Sequence, residues 1–173
     1  MYKLLPDIYK KNIYSIDYIS LKNAGIKVIL FDLENTLASV DEDRPDNQLK
    51  QLMEALKSID LSPVIISNAG KRRIRPFKED LTLNAAFLSF KPLKFKYKKI
   101  MKIYKVKPDQ MASIGDQMLT DVLGANRMGI TSILVNPVDD YDKGLTKVNR
   151  VVEKIVISYY RKRGIFDRGE YYE

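Results

Sequence analysis

Lys27-Val-Ile-Leu-Phe-Asp32-Leu-Glu-Asn-Thr36 is a short β-branched apolar run that stops on a carboxylate and turns polar within four residues. A run this short, with no polar face, reads as a strand covered on both sides. Ser62-Pro-Val-Ile-Ile-Ser67, the weaker Asn84-Ala-Ala-Phe-Leu-Ser89, Met111-Ala-Ser-Ile-Gly115 and Thr131-Ser-Ile-Leu-Val135 read the same way. Between them lie stripes at helical spacing: Leu49, Leu52, Met53 and Leu56; Tyr97, Ile100, Met101 and Tyr104; Leu119, Val122, Leu123 and Asn126. Strands alternating with helices predict an α/β fold, a Rossmann-like three-layer α/β/α arrangement with a mainly parallel sheet of about five strands. Right-handed crossovers put every strand's C-terminal end on one edge, where such sheets bind ligands. Asp32, Ser67 and Asp116 fall at those ends, so three residues far apart in sequence should meet.

The 173 residues contain neither cysteine nor histidine. That removes disulfides, thiolate zinc sites, cysteine nucleophiles, imidazole metal sites and histidine-based triads. Any chemistry must run on carboxylates, lysine, hydroxyls and an oxygen-loving metal such as Mg²⁺. The length fits one domain over residues 1–173. Residues 1–24 form an N-terminal extension and residues 139–173 a helical C-terminal one. Their apolar residues, among them Ile8, Tyr9, Val151, Val152 and Ile155, either pack on the outer layers or make an amphipathic surface that rests on a membrane. No apolar run approaches the roughly 20 residues of a membrane span, and the start lacks the apolar core of a secretory signal, so a cytoplasmic location is expected. The net charge is +8, and residues 71–107 hold thirteen Lys or Arg against only Glu79 and Asp80. Segregation this sharp favours an anionic partner.

Asp32-Leu-Glu34-Asn-Thr36 after a strand resembles the Asp-x-Asp-x-Thr nucleophile motif of the haloacid-dehalogenase (HAD) superfamily. Ser67-Asn68, Lys91-Pro92 and Gly115-Asp116-Gln-Met-Leu-Thr-Asp121 follow in that family's order. The resemblance spans residues 27–135 and implies a phosphomonoester hydrolase working through an aspartyl-phosphate. It assigns Asp32 as nucleophile, Glu34 as acid and base, and Lys91 as the cation that offsets charge. Asp32, Asp116, Asp121 and the backbone carbonyl of Glu34 would hold Mg²⁺. Thr36, Ser67, Asn68 and Lys91 would lie against the phosphoryl group. Elementary electrostatics agrees that a cation is needed, since two unit charges about 4 Å apart repel by roughly 4 kcal/mol at an effective dielectric of 20. Glu34 departs from the pattern, because the family has aspartate there. Either a slightly recessed backbone makes it a working acid and base, or turnover is slow.

Nine residues separate Thr36 from Asp46, and 22 separate Asn68 from Lys91. Neither gap holds a cap domain, so the site should be open. The opening Leu4-Leu-Pro-Asp-Ile-Tyr9 and Leu21-Lys-Asn-Ala-Gly-Ile26 look like the YqeG-like subgroup of HAD subfamily IIIA, which is related to mitochondrial phosphatidylglycerophosphate phosphatases. That resemblance implies a phospholipid headgroup as substrate and peripheral contact with an anionic membrane. Two other readings use the same residues. One is a phosphatase for soluble metabolites or phosphoproteins. The other is a weakly active or inactive basic module that binds RNA or a ribosome, against which the block lacks a Gly-rich RNA-binding signature.

Overall fold

A computed structural model describes residues 3–139 and 145–173, the stretch 145–147 by its backbone alone. The strands are β1 (Ile8–Lys10), β2 (Val28–Phe31), β3 (Ser62–Ile66), β4 (Asn84–Ala86), β5 (Met111–Gly115) and β6 (Thr131–Val135). They form one sheet in the order β1-β6-β5-β2-β3-β4, with every pairing parallel. The helices are α1 (Tyr18–Asn23), α2 (Asn47–Ser58), α3 (Lys71–Asp80), α4 (Phe95–Tyr104), α5 (Leu123–Met128) and α6 (Leu145–Arg161).

The period-two alternation of β2 divides the core. Ile29 and Phe31 point to one face, where they pack with Leu49 and Met53 of α2 and with Ile74 and Phe77 of α3. Val28 and Leu30 point to the other, against Tyr97 and Ile100 of α4 and Ala125 of α5. Each such side chain withdrawn from water contributes roughly 1.5–3 kcal/mol, so strands apolar on both faces hold both helical layers. Asp46 caps α2 by accepting from the Leu49 N–H at 2.7 Å, which fixes where the chain leaves the loop after β2.

The sheet has six strands, one more than the five apolar runs suggested. The added strand, β1, lies in the N-terminal extension and pairs with β6. Its other edge exchanges two backbone hydrogen bonds of 3.0 Å with Tyr172, so the C-terminal segment covers what would otherwise be an open edge. Strand β4 ends at Ala86 rather than Ser89, because the chain turns through positive φ at Leu88 and Phe90. Helix α6 packs Ile157 and Tyr160 against Tyr9, Met118 and Leu134. It also turns Glu153 inward, whereas Val151, Val152 and Ile155 face solvent. None of the described helices is long and apolar enough to cross a membrane.

Candidate active site

Strand β2 delivers Asp32 to the carboxyl edge, where its N–H still bonds to Ile114 at 2.9 Å. The next residues fold back at once. Asn35 takes a left-handed φ of 58°, its N–H reaches Ala38 O at 2.8 Å, and Leu37 N–H reaches Leu33 O at 3.0 Å. Burial of Leu33, Leu37 and Ala38 pins this turn, which is why a polar loop can hold a fixed shape.

Strand β5 ends in Gly115-Asp116, followed by a single π-helical turn over Met118–Val122 that carries Asp121. Asp121 lies directly over Gly115, and any side chain at position 115 would overlap the Asp121 carboxylate. Glycine is therefore required by the close approach of a functional group. One carboxylate oxygen each from Asp32, Asp116 and Asp121 lies within 4.8 Å of the other two, and all three residues are buried.

Lys91 Nζ donates to Asp32 Oδ1 at 2.7 Å and to Asp121 Oδ1 at 2.5 Å. Its backbone is anchored by Asn68, whose Oδ1 accepts from Lys91 N–H at 2.7 Å and from Ser89 Oγ at 2.9 Å. Asn68 Nδ2 donates to Lys91 O at 3.3 Å. Asn68 thus holds the lysine segment in place, and it also lines the cleft in which the phosphoryl group is expected. Ser67 Oγ accepts from the Ala69 N–H at 3.2 Å, and the residue lines the cleft. The Thr36 hydroxyl donates to Asp116 Oδ1 at 3.3 Å, orienting a carboxylate of the triad.

Two cations balance three buried carboxylates. The second is Arg150 of α6, which sequence reading missed. It pairs with the Asp116 carboxylate and donates to Asp116 O at 2.9 Å. Glu153, also buried, holds that guanidinium at 3.3 Å and accepts from Leu119 N–H at 3.2 Å. Nothing near position 116 hints at a partner 34 residues away; a lone acid in the apolar run Val151-Val-Glu-Lys-Ile155 is the one local sign that this helix faces something charged. Arg73 of α3 was missed as well. It donates to Glu42 O at 2.6 Å and Ser39 O at 2.9 Å, and stands 3.7 Å from Glu34 Oε1. It ties the loop over the site to the expected acid and base.

Burial pushes the Asp116 carboxyl up to about 7, opposed by Arg150 and reinforced by the charges of Asp121 and Asp32. Burial likewise raises Asp121 to about 6, with Lys91 opposing. Burial alone would lower Lys91, but Asp121 and Asp32 outweigh it and hold the ammonium well above its ordinary value. Carboxylates crowded and desolvated in this way are short of positive charge. An all-oxygen set with that deficit fits a hard divalent cation, so the three aspartates could hold one. Asp32 alone of the three reaches a cleft of about 550 Å³, lined also by Glu34, Ser67, Asn68, Lys91 and Asn149.

Residues 2–139 match the family model described as mitochondrial PGP phosphatase. The chain is 36% identical over 160 residues to "Probable phosphatase YqeG" of Bacillus subtilis, covering 92% of this chain and 93% of that protein. It is 28% identical over 142 residues to the chloroplastic phosphatidylglycerophosphate phosphatase 1 of Chlamydomonas reinhardtii, covering 77% of this chain and 53% of that one. Among solved structures it shares its fold with a Legionella pneumophila hydrolase assigned to HAD subfamily III A, at a TM-score of 0.52 and 20% identity, covering 69% and 70% of the two chains. The chain therefore belongs to the mitochondrial PGP phosphatase family and is a phosphoric monoester hydrolase, built on a fold that it shares with a HAD hydrolase.

Proposed function

We propose that this phosphatase is Mg²⁺-dependent, that Asp32 is its nucleophile, and that its substrate is a phosphomonoester on a phospholipid headgroup such as phosphatidylglycerophosphate. The observation that carries the reading is the placement of Lys91 Nζ between Asp32 and Asp121, in a triad of buried aspartates of which Asp32, with Lys91, lines an open cleft.

Asp32, Asp116 and Asp121 would hold the cation, which supplies Lewis-acid neutralisation between the attacking carboxylate and the phosphoryl oxygens. Asp32 forms a bond to phosphorus as the ester P–O bond breaks, and Glu34 gives its proton to the departing alkoxide. Glu34 then takes a proton from the water that attacks the aspartyl-phosphate, releasing inorganic phosphate and restoring Asp32. Lys91 and the Ser67 hydroxyl stabilise charge that grows on the equatorial oxygens. Asn68 keeps Lys91 on station, and Arg73 aims the longer Glu34 side chain. The lipid assignment draws on the family match and on the cleft, which the described residues leave without a cap.

The test measures Mg²⁺-dependent phosphate release from vesicles carrying phosphatidylglycerophosphate, against a panel of soluble sugar phosphates. Lipid turnover should dominate and vanish in Asp32→Asn. Equal or faster hydrolysis of soluble esters would remove the lipid assignment, and turnover surviving in Asp32→Asn would remove the nucleophile.

A further inference from the structure

Helix α6 buries Ile157 and Tyr160 but leaves a second apolar stripe in solvent. Its single acid, Glu153, is buried, while Val148, Val151 and Ile155 are 60%, 60% and 66% exposed. With Val152 and Tyr159 these residues follow one another at three- and four-residue spacing, so they share one face of the helix. The exposed charges on and just beyond the helix, Lys154, Arg161, Lys162 and Arg163, are basic, and of these Arg161 is paired with Asp167 at 2.6 Å.

Across the cleft a second element has the same character. Phe90 is 57% exposed and lies against Phe95, with ring centroids 6.2 Å apart. Lys96 lies over the Phe87 and Phe95 rings. No acidic residue occurs between Asp80 and Asp109, while α4 and its approach carry lysines throughout. Phe90 and Pro92 line the cleft from this side; Leu119, Val148 and Asn149 line it from the other. The mouth thus opens between two rims that are apolar and basic, with no exposed acid on either helix of the pair.

We propose that the α6 stripe and the Phe87–Phe95 loop form one docking surface for an anionic lipid bilayer, which seats the cleft mouth on the headgroup layer. This deepens the lipid reading of the site and rests on it. Exposed aromatic and aliphatic side chains flanked mainly by lysine and arginine suit the boundary between acyl chains and anionic headgroups. A second copy of the chain is the poorer occupant. Placing α6 against itself would bring like charges together, with no exposed acid on the helix to pair them.

The test uses sedimentation with vesicles of phosphatidylcholine, with and without added phosphatidylglycerol, and with no phosphomonoester lipid present. The full-length protein should bind the anionic vesicles, lose binding as salt rises, and bind the zwitterionic ones weakly. Val151→Asp/Ile155→Asp should cut anionic-vesicle binding at least about tenfold while leaving hydrolysis of p-nitrophenyl phosphate unchanged, which also reports that the variant is folded. Lys154→Glu/Lys162→Glu should weaken binding and flatten its salt dependence. Failure of the unaltered protein to bind anionic vesicles, or equal binding by the aspartate variant, would overturn the proposal. So would sedimentation velocity showing a dimer that the aspartate variant dissolves. Because these vesicles hold no substrate, docking and lipid hydrolysis can fail separately: binding without turnover of phosphatidylglycerophosphate would sink the substrate assignment and leave the surface standing.

Discussion

Arg150→Met removes the guanidinium from Asp116, the most deeply buried carboxylate of the site. Asp116 is fully buried, and only 16% of the Arg150 side chain is exposed, so solvent screens the pair little. At about pH 8, above the value of about 7 that burial gives Asp116, deleting one partner of such a pair costs about 3 kcal/mol, because the remaining charge stays buried or must take up a proton. For a chain of this size each kcal/mol lowers Tm by about 2–4 °C, so the variant should melt about 6–12 °C lower in EDTA. Glu153 is not orphaned in the same way, since Leu119 N–H and Arg168 stay beside it. Mg²⁺ puts positive charge back on the aspartates, so at saturating Mg²⁺ the deficit should shrink to a few degrees. Thermal melts of both proteins, with EDTA and with Mg²⁺, decide the matter. An equal drop in both conditions would show that Arg150 is a packing residue. No drop in EDTA would show that its charge does not support Asp116.

Gly115→Ala places a methyl on the Asp121 carboxylate and must push it from Lys91, so turnover and Mg²⁺ affinity should each fall at least about tenfold. Glu34→Gln keeps the shape but not the proton, and should slow turnover by about a hundredfold or more in steady-state assays, with Mg²⁺ binding by calorimetry unchanged. The pH dependence follows from Asp116 at about 7 and Asp121 at about 6. Both carboxyls are raised above their unfolded values near 4, so the folded state binds more protons in between and stability falls as pH rises through that window. Melts in EDTA should therefore give a lower Tm at about pH 8 than at about pH 5. Mg²⁺ should stabilise more at the higher pH, where the carboxylates are already charged; a flat EDTA profile would contradict the raised values.

The central strands were legible because β2, β3 and β5 are apolar on both faces and stop abruptly at Asp32, Ser67 and Asp116. Burial on two sides leaves a composition that few other structures share. Strand β1 was not legible: three residues, Ile8-Tyr-Lys10, carry too little pattern to mark a strand that gains its place from Val135 and Tyr172. The inward face of α6 could not be read from hydrophobicity. Apolar residues often remain at the surface, whereas a buried acid such as Glu153 reveals itself only through its partners. Asn68 shows a different limit. A side-chain amide can serve a ligand or a backbone equally well, and only coordinates reveal that it bonds to Lys91 on both sides.

The stretch matched by the family model stops at residue 139, and Arg150 lies beyond it. A fragment trimmed to that stretch would retain the three aspartates and Lys91 but forfeit one of two counterions. Its resting chemistry would change even with every motif residue intact. Grafting or swapping the last helix is thus equivalent to altering the formal charge around the three aspartates, and should be designed as such.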